Sequence, residues 1–176
     1  MSETAALSER LTRLEDREAI RDLMQRYARA ADAKYAPDLA RLDAEAVARA
    51  AAEQAACFAE DAEWDVAGFG GPLKGRAAIG AFFETSPWDY TLHHYVCPEI
   101  GLDGDTAQVR WRLIELGCPE KTDRVVLLSG VVEQTCRRTT EGWRIASMRF
   151  QVLQEVELAE TRDAVTCLVP RKGQAA

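Results

Sequence analysis

Apolar residues recur at Ile20, Leu23, Met24, Tyr27 and Ala31, the three- and four-residue spacing of one buried helical stripe. The pattern predicts a helix over residues 8–31, with Asp32 on the border of the stripe near the helix end. Residues 34–37 break it. An alanine-rich run predicts a second helix over 38–59, with Leu39, Leu42, Val47 and Phe58 turned inward. Residues 63–67 read as a short strand and Gly68 to Pro72 as a turn. A third helix over 76–84 buries Ile79, Phe82 and Phe83.

Beyond this point the period changes to two. Residues 91–102 and 106–116 read as a hairpin around an Asp103-Gly104 turn, a favoured two-residue pair. Residues 124–138 and 143–157 form a second pair joined at 139–142. Three helices before a long meander predict an α+β fold. One curved, mixed, mostly antiparallel sheet wraps around the N-terminal helix, with two further helices beside it. The domain is expected to span 1–158, followed by a polar C-terminal tail, 159–176, in which Leu168 and Val169 could dock.

A chain of 176 residues is long enough for one domain with a real core. Its 47% hydrophobic and 29% charged residues are ordinary for a globular protein. A net charge of −7 makes nucleic acid and anionic membranes poor partners. The polar N-terminus and the lack of a long apolar run predict neither a signal segment nor a membrane span. The five cysteines are scattered and odd in number, which favours reduced thiols in a cytoplasmic protein.

The chemistry concentrates at Tyr27, Asp32 and His93. A carboxylate and an imidazole among apolar positions form an acid–base pair able to move protons with no metal or organic cofactor. Asp32 has a plainer alternative, an exposed carboxylate or a cap on the next turn. Tyr27 either donates to a substrate oxygen or fills the core. Trp64 and Trp111 are pocket walls or core. His93 and His94 are adjacent on a strand and must point to opposite faces. Simple alternation favours His94 inside, on the face of Val96, Ile100, Trp111 and Leu113. A bulge at Pro98 reverses the phase and puts His93 inside. Two divergent histidines, with Cys97 too far along the strand from His93, predict no metal site and no cofactor. Arg110 and Arg112 alternate outward. Gly68 to Gly71 lacks the strand and helix of a phosphate loop.

The order of these elements carries a resemblance. The matching pieces are Asp16-Arg17-Glu18-Ala19-Ile20 leading to Tyr27 and Asp32, then Phe58-Ala59-Glu60-Asp61-Ala62-Glu63-Trp64. Lys74-Gly75-Arg76-Ala77-Ala78-Ile79, His93, Asp103-Gly104-Asp105-Thr106-Ala107 and Gly142-Trp143-Arg144-Ile145 follow. Together, over about residues 11–153, the chain resembles the SnoaL-like branch of the nuclear transport factor 2-like (cystatin-like) superfamily. It looks most like the cofactor-free dehydratases and dehydrochlorinases there.

The resemblance implies Asp32 and His93 as catalytic pair, Tyr27 as their partner, and Trp64, Trp111, Cys97, Phe83, Met148 and Arg149 around the substrate. Cys97 stands where the family often has Asn, Met148 where a dehydrochlorinase arginine is expected, and Val132 and Gln134 replace a frequent Tyr and Asp. The link over 34–55 is long for the family. The implied activity is β-elimination or a double-bond shift on a hydrophobic cyclic or aromatic small molecule. Polyketide ring closure, carbon–carbon cleavage in aromatic catabolism, epoxide opening and a non-catalytic scaffold subunit use similar folds. A homodimer or homotrimer through the outer sheet face is expected.

Overall fold

The computed structural model describes residues 2–66 and 71–161, with side chains through residue 158. Helix α1 spans Glu3–Asp32, α2 Ala44–Ala55 and α3 Arg76–Glu84. Strands β1 Phe58–Asp65, β2 Leu73–Lys74, β3 Trp88–Asp103, β4 Thr106–Pro119, β5 Arg124–Thr139 and β6 Gly142–Thr161 form one mixed sheet in the order β2-β1-β6-β5-β4-β3. Among the described residues only β1 and β6 pair in parallel. No described helix is long and apolar enough to cross a membrane.

α1 begins five residues before the predicted start. Ser2 caps it, its hydroxyl accepting from the Ala5 amide at 3.2 Å. This first part has no buried stripe to reveal it: Leu7, Leu11 and Leu14 are exposed. The rest of α1 lies in the curve of the sheet and buries Ile20, Leu23, Met24, Tyr27, Ala30 and Ala31. Asp16 pins it there. Its carboxylate accepts from Arg138 at 2.7 Å and from the Trp143 indole at 3.0 Å.

The predicted helix over 38–59 is wrong at both ends. Pro37 and the left-handed Leu39 (φ 66°) interrupt the chain, and the Asp43 carboxylate caps α2 by accepting from the Ala46 amide at 2.8 Å. Leu42 is exposed rather than inward, and Phe58 is buried in β1 instead. The long link packs as a strap. Leu39 sits on Cys118 and Val125, and Arg41 donates to the carbonyls of Glu84, Ser86 and Trp88. The predicted turn at Gly68 to Pro72 falls mostly outside the described residues, as does the tail from 162. β2, not foreseen, follows it.

The α3 boundaries match the reading of 76–84. The first hairpin turns on Gly104-Asp105, one residue late, with Asp103 facing Thr106. The sheet curves because β6 carries extra residues. Val131 faces Val152 while Val132 faces Phe150, and Thr135 faces Ser147 while Cys136 faces Ile145. That curvature opens the space above α1 in which the site lies.

Candidate active site

The phase of β3 decides which histidine enters. Val96 pairs with Arg112 and Glu99 with Arg110, so β3 spends one more residue than β4 between these pairs. The extra residue is at Cys97-Pro98. Cys97 is left-handed (φ 51°), and proline has no N–H to give the ladder. Before the bulge Thr91, His93 and Tyr95 face in; after it Ile100 and Leu102 do. His94 is exposed, as strict alternation without the bulge would not have it.

Asp32 meets His93 from the last residue of α1. Its Oδ1 lies 2.7 Å from His93 Nδ1, and both carboxylate oxygens accept from the His93 amide, at 3.2 and 3.1 Å. A carboxylate at a helix C-terminus sits against the macrodipole. Asp32 is held there by three bonds to one histidine rather than by its own helix. The Asp fixes the ring, with Nδ1–H donating, and leaves Nε2 facing the interior.

Nε2 faces Glu115. The two residues pair directly across β3 and β4, and Glu115 Oε2 is 3.5 Å from Nε2. Glu115 is 6% exposed. Burial raises its pKa above the ordinary carboxylate value and the Asp32 charge adds to this, against the pull of His93 and Lys34. Burial alone would depress the His93 imidazolium, but the Glu115 and Asp32 charges outweigh it and its pKa is raised above 6.5.

These groups open on a cavity of about 60 Å³. Its polar wall includes Lys34, Gln54, Ser86, Thr91, His93 and Glu115; its apolar wall includes Trp64, Phe82, Phe83, Trp88, Phe150 and Leu153. Lys34 Nζ donates to Gln54 Oε1 at 3.1 Å and to the Phe83 carbonyl at 3.4 Å. Burial lowers its pKa to about 8. Tyr27 is buried, its ring edge-on to His93 with centroids 6.5 Å apart. Burial raises its phenol pKa, and Gln54 and Tyr95 are its hydrogen-bonding neighbours.

Trp64 and Phe83 line this cavity, where the resemblance put them. Four other residues expected around the substrate lie elsewhere. Trp111 is in the core, its indole donating to Gln134 at 3.0 Å. Met148 is buried against the same Gln134 amide. Arg149 faces out in an ion pair with Glu133 at 2.6 Å. Cys97 is exposed on the bulge. The bulge turns Cys97 outward, and Arg149 alternates with the buried Met148.

Glu115, Lys34 and Gln54 escaped the sequence reading. Glu115 shares the inward phase of Trp111 and Leu113, so a carboxylate in an apolar alternation was a legible signal. Lys34 had none, because it follows the helix end where periodicity stops.

Solved structures share this fold. A provisionally assigned aromatic ring hydroxylase from Novosphingobium aromaticivorans is 30% identical, over 81% of this chain and 94% of that one, with a TM-score of 0.64. A nuclear transport factor 2-like protein with a cystatin-like fold from the same organism is also 30% identical, over 85% and 90%, with a TM-score of 0.63. The hexachlorocyclohexane dehydrochlorinase LinA-type3 from Novosphingobium barchaimii is 20% identical, over 91% and 99%, with a TM-score of 0.70. No curated protein matches the chain. The SnoaL-like domain model matches residues 12–149, most of the fold and both members of the Asp32–His93 pair. The chain belongs to the SnoaL-like family.

Proposed function

We propose that this protein is a lyase or isomerase that removes a proton from carbon, with His93 as base, on a hydrophobic cyclic or aromatic small molecule. The observation that carries the reading is the 2.7 Å Asp32–His93 contact at a cavity with one polar wall and one wall of aromatic and aliphatic side chains. Asp32 orients the ring and stabilises the imidazolium that forms when Nε2 takes the proton. The same groups give β-elimination when a leaving group departs from the next carbon, or a double-bond shift when the proton returns elsewhere. Proton transfer of this kind needs no cofactor. The dehydrochlorinase neighbour, an elimination enzyme by name, supports the choice.

Turnover of a panel of hydrophobic cyclic and aromatic β-hydroxy and β-chloro compounds tests it. His93→Ala and Asp32→Asn each reduce turnover about 10²–10⁴-fold, and the double variant costs little more than the worse single one. Independent, multiplicative losses would show that the two side chains do not work as a unit. A second reading is a small-molecule-binding or scaffold subunit. It requires binding without turnover across the panel. Under either reading the protein is expected to be cytoplasmic, its described cysteines free thiols.

A further inference from the structure

Lys34 is a cavity residue for which neither the fold nor the Asp32–His93 pair gives a reason. It is 3% exposed, yet the two groups to which its ammonium donates are neutral, the Gln54 amide oxygen and the Phe83 carbonyl. The Phe83 ring adds a face 5.5 Å from Nζ. Two neutral acceptors and a ring offset only part of the cost of taking an ammonium out of water. A methionine would fill the same space without that cost. An ammonium has three hydrogens, and two are bonded among the described residues, which leaves one for a ligand in the cavity that Lys34 lines.

A second residue on this wall has the same character. Trp64 is 6% exposed and lines the cavity, and its buried indole N–H has no acceptor among the described residues. Its ring packs on Phe83 with centroids 5.1 Å apart, so both donors flank one side chain. A buried donor without an acceptor is rare and costly. The wall around Phe83 offers hydrogens that a ligand oxygen would accept.

We propose that this wall holds a carbonyl oxygen of the substrate and that Lys34 is a further catalytic residue, donating to that oxygen while His93 takes a proton from the neighbouring carbon. The substrate class is then a hydrophobic cyclic or aromatic carbonyl compound, and the inference rests on His93 being the carbon base. The C–H bond next to the carbonyl breaks and its proton goes to His93 Nε2. The freed electron pair forms a C=C bond, and the carbonyl π pair moves onto oxygen, where the Lys34 N–H stabilises the developing charge. Collapse of the enolate expels a leaving group with its electron pair from the β-carbon. An enolate extended by a second double bond instead takes a proton at its far carbon.

Burial lowers the Lys34 pKa to about 8, with Arg41 adding to the effect and Asp32 and Glu115 opposing it. It stays charged near neutral pH and is a stronger donor than an exposed lysine. Tyr27, the sequence-based choice for this oxygen, already has Gln54 and Tyr95 as neighbours.

Binding of 4-nitrophenol and of nitrobenzene, measured by calorimetry near neutral pH, tests the assignment without any turnover. The phenolate presents an oxyanion beside a ring, as the enolate does, and its absorbance reports whether the bound form is the anion. The wild type binds 4-nitrophenol at least about tenfold tighter than nitrobenzene and holds it as the anion; Lys34→Met loses that preference while binding nitrobenzene as before. His93→Ala keeps the preference. Wild-type protein without the preference overturns the proposal, and this arm needs no variant to fold. A preference that survives in Lys34→Met, or disappears in His93→Ala, also overturns it by placing the anion on another group. Failure of the lyase reading is seen separately, as bound phenolate without turnover of carbonyl compounds.

Discussion

His93 and Glu115 are direct cross-strand partners, and their side chains meet at 3.5 Å on the inner face of the sheet. With Asp32 on the other ring nitrogen, the imidazole lies between two carboxylates. Glu115 is one of the two charges that raise the His93 pKa above 6.5, so Glu115→Gln brings the midpoint down. The chain has two histidines, so ring NMR titration reads it directly, with His93→Ala assigning the signals. The sign for stability follows. A raised folded pKa means that the His93 contribution is fully present below 6.5 and is lost as pH rises through the folded value. Activity runs the opposite way, because the base must be unprotonated. Its acid limb lies above pH 6.5 and moves to lower pH in Glu115→Gln. A midpoint that ignores the substitution would remove Glu115 from the site's electrostatics.

Lys34 weakens the fold that holds it. Its pKa falls from 10.5 to about 8, so the folded state favours the neutral amine. Below about pH 8 the ammonium is present in folded and unfolded chains alike, and the folded state bears the burial cost; that cost fades as pH rises from about 8 toward 10.5. Lys34→Met is expected to stabilise by about 1–3 kcal/mol at pH 7, as replacing buried charge by apolar groups often does. The gain shrinks by pH 10. Urea unfolding at both values checks this, and a variant less stable at pH 7 would mean that Gln54 and Phe83 fully satisfy the ammonium.

The outer sheet face carries an apolar row. Leu92, Leu116, Leu127 and Val156 stand side by side on β3, β4, β5 and β6 by direct pairing. Leu92, Leu127 and Val156 are exposed. We propose that this row is the contact of a homodimer or homotrimer, since burying it removes apolar area from water. Leu127→Arg then gives monomers in sedimentation, with circular dichroism unchanged. A wild type that sediments as a monomer at micromolar concentration contradicts this.

Much of this arrangement was legible because local rules fixed it. The stripe from Ile20 to Ala31 carries Tyr27 inward and leaves Asp32 at the helix end. Pro98 inside a strand signalled the bulge that turns His93 in. The failures arose where local pattern competed with something else. Alanine content suggested a helix through Leu39 and Leu42, but Pro37 and the Asp43 cap set its start. The cap was readable, an Asp followed by a helical run. The parallel pairing of β1 with β6 joins residues far apart in sequence, and no periodicity reports it. Met148 and Arg149 were placed by the resemblance alone, and the β6 bulges, which no local pattern reports, set which β6 residues face in.

Deuterium uptake tests the central claim, that His93 takes a proton from carbon. Cyclic and aromatic ketones incubated with the protein in D₂O are followed by proton NMR for loss of the signal next to the carbonyl. The account predicts uptake with wild-type protein and a rate at least about 10²-fold lower with folded His93→Ala. Equal uptake by the two proteins would contradict it.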